Sequence, residues 1–169
     1  MNILQLSFHT DPMNSLGVTD GGGINVYVEF ISKELAKNNI VHIITGEQAK
    51  NISKRNLKLS SFNLFTNQAN TEEKQEFLDE FIEKAFQYIE EHQIDVVHAH
   101  YWLSGLVAKE IKHRYKIPFI FTSHSLGVFI QENGLDRISA EKEIFNSADK
   151  ITASSQFEKE NLLNRYGAD

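Results

Sequence analysis

The sequence predicts an α/β fold: a three-layer, doubly wound, mostly parallel sheet of Rossmann-like type. Three observations carry that reading. Short apolar runs alternate with longer amphipathic stretches from end to end, and strand–helix alternation implies right-handed crossovers between parallel strands. The short runs are mostly continuous Ile, Val and Phe, as expected where both sheet faces are covered. Finally, 169 residues with 41% hydrophobic and 11% aromatic content suit one ordinary domain with a real core.

The strand candidates are residues 2–8, 41–45, 57–63, 95–100, 118–123 and 150–153. They are four to seven residues long. The first helix, 23–38, carries Val26, Val28, Phe30, Ile31 and Leu35 and stops at Asn38-Asn39. The second, 71–92, opens at Thr71 with Glu72 and Glu73 in its first turn, where the helix dipole favours acids. Its Phe77, Leu78, Phe81, Ile82, Phe86 and Ile89 form a helical apolar stripe. Further helices are expected at 103–115, 136–147 and 155–166, the last closed by Gly167. The polar, basic stretch 50–58 reads as a solvated connection.

Composition excludes several function classes. Seventeen Lys plus Arg against 23 Asp plus Glu give a net charge of −6, which argues against an electrostatic nucleic-acid binder. The absence of cysteine rules out disulfides, Cys-ligated zinc and thiol catalysis. No basic leader opens the chain, and no apolar run approaches the ~18 residues of a spanning helix. The expectation is a cytoplasmic domain with no integral membrane segment.

In a doubly wound sheet, ligands bind beyond the carboxyl ends of the strands. Four segments there could carry chemistry. The loop 9–23 ends in Asp20-Gly21-Gly22-Gly23 and runs into a helix; glycine backbone and a helix N-terminus suit an anion. A dinucleotide reading is possible, with Gly21 and Gly23 opening a G-x-G pattern and Glu47 holding a ribose. Against it, Val26 replaces the third glycine, and about a dozen residues separate Phe8 from Gly21 where that fingerprint makes a tight turn. The second segment is His98-Ala99-His100-Tyr101-Trp102-Leu103-Ser104-Gly105. His98 and His100 share one strand face; His98 reads as a buried structural histidine, and His100 and Tyr101 as nearer to ligand. No carboxylate or cysteine completes a metal set with them and His124. In the third, Thr122-Ser123-His124-Ser125-Leu126-Gly127, His124 could exchange a proton or a hydrogen bond with a substrate hydroxyl; no nucleophile-elbow pattern supports a hydrolytic triad. The fourth is Arg137 with Glu141, an i,i+4 pair that reads either as a surface bridge or as a guanidinium fork for phosphate.

Together these segments resemble the N-terminal half of the retaining glycosyltransferases of family 4, its sucrose-phosphate synthases and D-inositol-3-phosphate glycosyltransferases in particular. The matching strings are GGGINVYVEFISKELAK (21–37), DVVHAHYWLSG (95–105), PFIFTSHSLG (118–127) and RISAEKEIFNSADKITASS (137–155). The closing NLLNRYGAD also resembles the stretch before that family's interdomain linker.

The resemblance implies a GT-B fold, two Rossmann-like domains facing across a cleft. Residues 1–169 would be the acceptor-side domain, with the C-terminal nucleotide-sugar domain absent and no transfer activity expected of the isolated chain. It implies that Gly22 and Gly23 lie against donor phosphate and acceptor, and that His124 is the catalytic-site histidine near the transferring sugar. Asn25, Lys74, Tyr101, Ser125 and Arg137 are implied to contact the acceptor or its phosphate. The donor would be a nucleotide sugar and the acceptor a hydroxyl compound, such as a phosphorylated sugar or polyol, with no cofactor and no metal. Val128, Phe129 and Ile130 stand where sucrose-phosphate synthases carry basic residues, which counts against fructose 6-phosphate as acceptor.

Overall fold

The computed structural model describes residues 1–13, 22–130 and 137–168. Seven strands form one sheet: β1 (Asn2–Leu6), β2 (Ile40–Glu47), β3 (Ile52–Lys54), β4 (Leu57–Phe65), β5 (Val96–His100), β6 (Phe119–Thr122) and β7 (Lys150–Thr152). Their order is β3-β4-β2-β1-β5-β6-β7, and every pairing but β3–β4 is parallel. The predicted α/β class holds. The sequence reading missed β3, which lies inside the stretch expected to be a solvated connection. Three residues at a sheet edge give too short a pattern to read, yet Ile52 packs beside Val41, Ile43, Leu57 and Leu59.

The helices are α1 (Gly22–Leu35), α2 (Thr71–Gln75), α3 (Leu78–Glu91), α4 (Trp102–Tyr115), α5 (Arg137–Ser147) and α6 (Gln156–Asn161). What reads as one helix over 71–92 is two. The backbone N–H groups of Glu76 and Phe77 reach back three residues, to Glu73 and Lys74, and this tighter turn divides α2 from α3. The N-cap of α2 is Asn70, one residue before the expected start. Its side chain accepts from the Glu73 N–H, and the Glu73 carboxylate accepts from the Asn70 N–H, a complete capping box. After α6 the chain widens into one π-helical turn over Leu162–Tyr166, and Gly167 closes it at φ 68°.

Alternation along the parallel strands sorts side chains to two faces. Leu4, Leu6, Ile44, Val97, Ala99, Phe119 and Phe121 face α3, α4 and α5 and form the main core. Gly105 lets α4 approach that layer: a Cβ there would lie 2.8 Å from Ile144 and 2.9 Å from Phe121. On the other face α1 packs by Leu35 against Val41, Ile43, Leu57 and Leu59. Helix-bearing layers on both sides make the sheet doubly wound. The central strands end, at their carboxyl ends, in the segments singled out for chemistry.

Candidate functional site

At the carboxyl edge of β1, β5 and β6 four histidines gather with Tyr27, Tyr101, Ser125 and Arg137. His98 is buried and its Nε2 lies 2.8 Å from the Thr122 hydroxyl, as the structural reading of this residue expected. His100 is fully buried, between Gln5 Oε1 at 2.6 Å and His124 Nε2 at 3.0 Å. The placement of His100 near the ligand is therefore corrected: it stands behind His124. The rings of His98 and His100 are 4.1 Å apart, on one strand face as period two requires, and Tyr27 of α1 meets His124 edge-on at 5.1 Å. The His9 ring lies tilted against Tyr101, their centres 4.6 Å apart.

Burial governs the charge of this cluster. It lowers His9 to about 3, aided by the positive charges of Lys74 and Arg137 and by His124. It lowers His98 and His124 to about 4, and His100 well below the ordinary histidine value. At neutral pH the rings are neutral, so each carries one donor and one acceptor.

Two residues here hold backbone conformations that side chains disfavour. Tyr101 has φ 73° and ψ 155°, a region essentially reserved for glycine, and His124 has φ 61°. The Tyr101 N–H still donates to the Thr122 carbonyl at 3.0 Å, and its carbonyl accepts from Gly105 at the start of α4. The strained turns lie at the ends of adjacent strands and hold both side chains at the sheet edge. Nothing in the sequence pattern signals them.

Arg137 is not a surface bridge. It and Glu141 are both buried, with Nε 2.8 Å from Oε1. The guanidinium also donates to the Ser125 carbonyl at 3.0 Å, to the Ser125 hydroxyl at 2.9 Å and to the Tyr101 hydroxyl at 3.3 Å, and it lies over the Tyr101 ring. Glu141 accepts further from the Gly127 N–H and the Tyr166 hydroxyl. A Cβ on Gly127 would meet Arg137 and Glu141 at 3.1 Å, so glycine lets this loop close on the pair. Buried charges persist when paired and fully hydrogen-bonded, and this network meets that condition.

Beside the network lies a cavity of about 240 Å³ lined by His9, Glu47, Asn70, Lys74, Tyr101 and Ser125, among others. Lys74 comes from α2, Glu47 from the end of β2, and Tyr101 and Ser125 from the β5 and β6 ends. Lys74 sits with its ammonium 5.6 Å from the Phe65 ring centre. Burial raises the Glu47 carboxyl above its ordinary value although it accepts from the Asp11 N–H at 3.1 Å. The structure thus joins Lys74, Tyr101 and Ser125 in one cavity, sets Arg137 behind them and His124 beside them. Sequence reasoning used Glu47 only for a dinucleotide ribose; its place in the cavity follows from β2 running three residues past Ile44, the partner of Leu6 at the end of β1.

Gly22 and Gly23 open α1 and are exposed; a Cβ on either would meet nothing within 4 Å. Asn25 is buried, and its Oδ1 has no hydrogen-bond partner among the described residues. Gly21 and Asp20 of the same loop lie outside the described residues. No helix among the described residues is long and apolar enough to cross a membrane.

Known proteins resemble this chain in sequence and in fold. The chain is 29% identical over 186 residues to D-inositol 3-phosphate glycosyltransferase of Geodermatophilus obscurus, with 99% of the chain and 41% of that protein covered. Sucrose-phosphate synthase from Thermosynechococcus elongatus superposes with a TM-score of 0.85 at 25% identity, over 98% of this chain and 45% of that one. HepE of Anabaena, solved in complex with UDP and glucose, shares the fold at a TM-score of 0.63 and 13% identity, over 100% and 42%. The chain therefore spans less than half the length of these relatives. Residues 21–169 match the sequence pattern of Glycosyltransferase Family 4, and the chain belongs to that family.

Proposed function

We propose that this chain is the acceptor-binding domain of a glycosyltransferase that moves a sugar from a nucleotide sugar to a hydroxyl of a phosphorylated sugar or polyol. One observation carries it: Lys74, Tyr101 and Ser125 line a single cavity, and the buried Arg137–Glu141 pair fixes Tyr101 and Ser125 in place. An ammonium and two hydroxyls can hold a phosphate, while Glu47 accepts from sugar hydroxyls. Held this way, the acceptor hydroxyl would be positioned for transfer. His124, beside the cavity and neutral, would meet the transferring sugar. Gly22 and Gly23 at the N-terminus of α1 would lie against the donor phosphate, where N–H groups and the helix dipole stabilise developing negative charge without a metal. Asn25, with its unpartnered Oδ1, would receive an acceptor hydroxyl.

The relatives support this reading: one is named for an inositol phosphate, another makes a sugar phosphate, and HepE holds UDP and glucose. The nucleotide-sugar domain would be a second Rossmann-like unit beyond these residues. Family membership sets this reading ahead of the dinucleotide alternative.

Titration calorimetry on residues 1–169 tests it. Inositol monophosphate or a hexose monophosphate should bind, unphosphorylated inositol or glucose much more weakly, and Lys74→Ala should weaken the phosphorylated ligand by about tenfold or more. Equal binding with and without phosphate, or micromolar binding of NAD instead, would refute the proposal. The isolated chain should transfer no glucose from UDP-glucose.

A further inference from the structure

Gln5 is an odd residue for its place. It stands in the central strand of the sheet, is fully buried, and is flanked along the strand by Leu4 and Leu6 and across it by Ile43 and His98. A polar side chain there is costly unless it is hydrogen-bonded. Its Oε1 lies 2.6 Å from His100 Nε2, and His100 Nδ1 lies 3.0 Å from His124 Nε2. The three side chains form a line from the middle of the sheet to the candidate site.

We infer that Gln5 and His100 are positioning residues that fix the tautomer of His124, so that His124 presents an unprotonated Nδ1 to the ligand. A carboxamide oxygen only accepts, so His100 must carry its proton on Nε2. A neutral imidazole has one N–H; His100 Nδ1 is then a lone pair, and His124 must donate to it from Nε2. That uses the single proton of neutral His124 and leaves its Nδ1 as an acceptor for a hydroxyl. The buried, neutral state of both rings is what keeps the count at one proton each. Reversing the Gln5 amide would invert every step and turn His124 Nδ1 into a donor, so one side chain at the sheet centre sets the polarity of a group at its edge. That a sugar hydroxyl meets His124 rests on the proposed function; the tautomer does not.

Long-range proton–nitrogen NMR on ¹⁵N-labelled protein at neutral pH, without ligand, reads each ring directly. His100 and His124 should both appear as single Nε2–H tautomers. An Nδ1–H tautomer at His124 would overturn the inference. In Gln5→Leu, His100 loses its fixed acceptor, and His124 should become a mixture of tautomers. A folded Gln5→Leu protein with His124 still purely Nε2–H would show that Gln5 does not set it. Should Gln5→Leu fail to fold, the wild-type spectrum decides, since an Nδ1–H tautomer at His124 overturns the inference by itself. Failure of phosphate binding in the calorimetry leaves these spectra unchanged, so the two ideas fail separately.

Discussion

Two faces of one sheet have been put to opposite uses. Along one register row Leu59, Ile43, Gln5, His98 and Ile120 stand side by side. The next row sends Ile44, Leu6, Ala99 and Phe121 to the opposite face. That second face is apolar across β1, β5 and β6, with buried His42 beside it on β2, and is covered by α3, α4 and α5. The first is apolar at β2 and β4, under α1; at β1 and β5 it carries Gln5, His98 and His100, with Gln5 hydrogen-bonded to His100, His100 to His124 and His98 to Thr122. The same strands supply both. Period-two alternation lets β5 put Val97 and Ala99 into the core and its two histidines toward the site, so stability and chemistry are separated by one residue of register.

The largest effect that would test this division is on the apolar face. Phe121→Ala should cost about 3–5 kcal/mol, read from denaturant unfolding, because Phe121 is fully buried and packs on Phe145 and beside Gly105. A loss below 1 kcal/mol would mean that face is not the stabilising one.

The Arg137–Glu141 pair joins the apolar layer to the site. Glu141→Gln should cost about 3 kcal/mol, since it leaves a buried guanidinium without its counter-charge. The same substitution should weaken acceptor-phosphate binding, because Tyr101 and Ser125 lose their anchor. Lost stability with unchanged binding would restrict the pair to the fold.

The smallest effect, taken per pH unit, is the titration of the polar face. His98 and His124 titrate near 4 and His9 near 3 when folded, against about 6.5 unfolded, so the unfolded chain binds more protons between those limits. Stability from these rings is fully present above about pH 6.5 and is lost as pH falls toward 4. The slope is about 1.4 kcal/mol per pH unit for each histidine. His42, lowered to about 4 by burial on the other face, adds to the same window. Asp11 and Glu47, raised by burial, oppose it at the acid end. Thermal unfolding followed from pH 7.5 to 4.5 should show a steadily falling midpoint; a flat profile would mean the histidines are not held neutral by the fold.

The parallel α/β architecture was legible because continuous apolar runs and amphipathic stretches have different periods, and those periods survive in the bare sequence. So was the location of the candidate site, since each motif follows a strand and the carboxyl ends of parallel strands lie along one edge. Family resemblance rested on the same motifs. What the sequence could not reveal depends on approach in three dimensions. Asn70 rather than Thr71 caps α2 because the side chain and N–H of Asn70 meet those of Glu73 in space. Arg137 and Glu141 have the spacing of a surface bridge, and only the packing of the Gly127 loop and Tyr166 over them makes them a buried network. His100 reads as a ligand contact until the sheet places Gln5, 95 residues away, against its ring. Composition and periodicity determined the fold class and the edge where chemistry belongs; tertiary packing decided which side chains are desolvated and paired, because burial and long-range hydrogen bonds leave no local pattern to read.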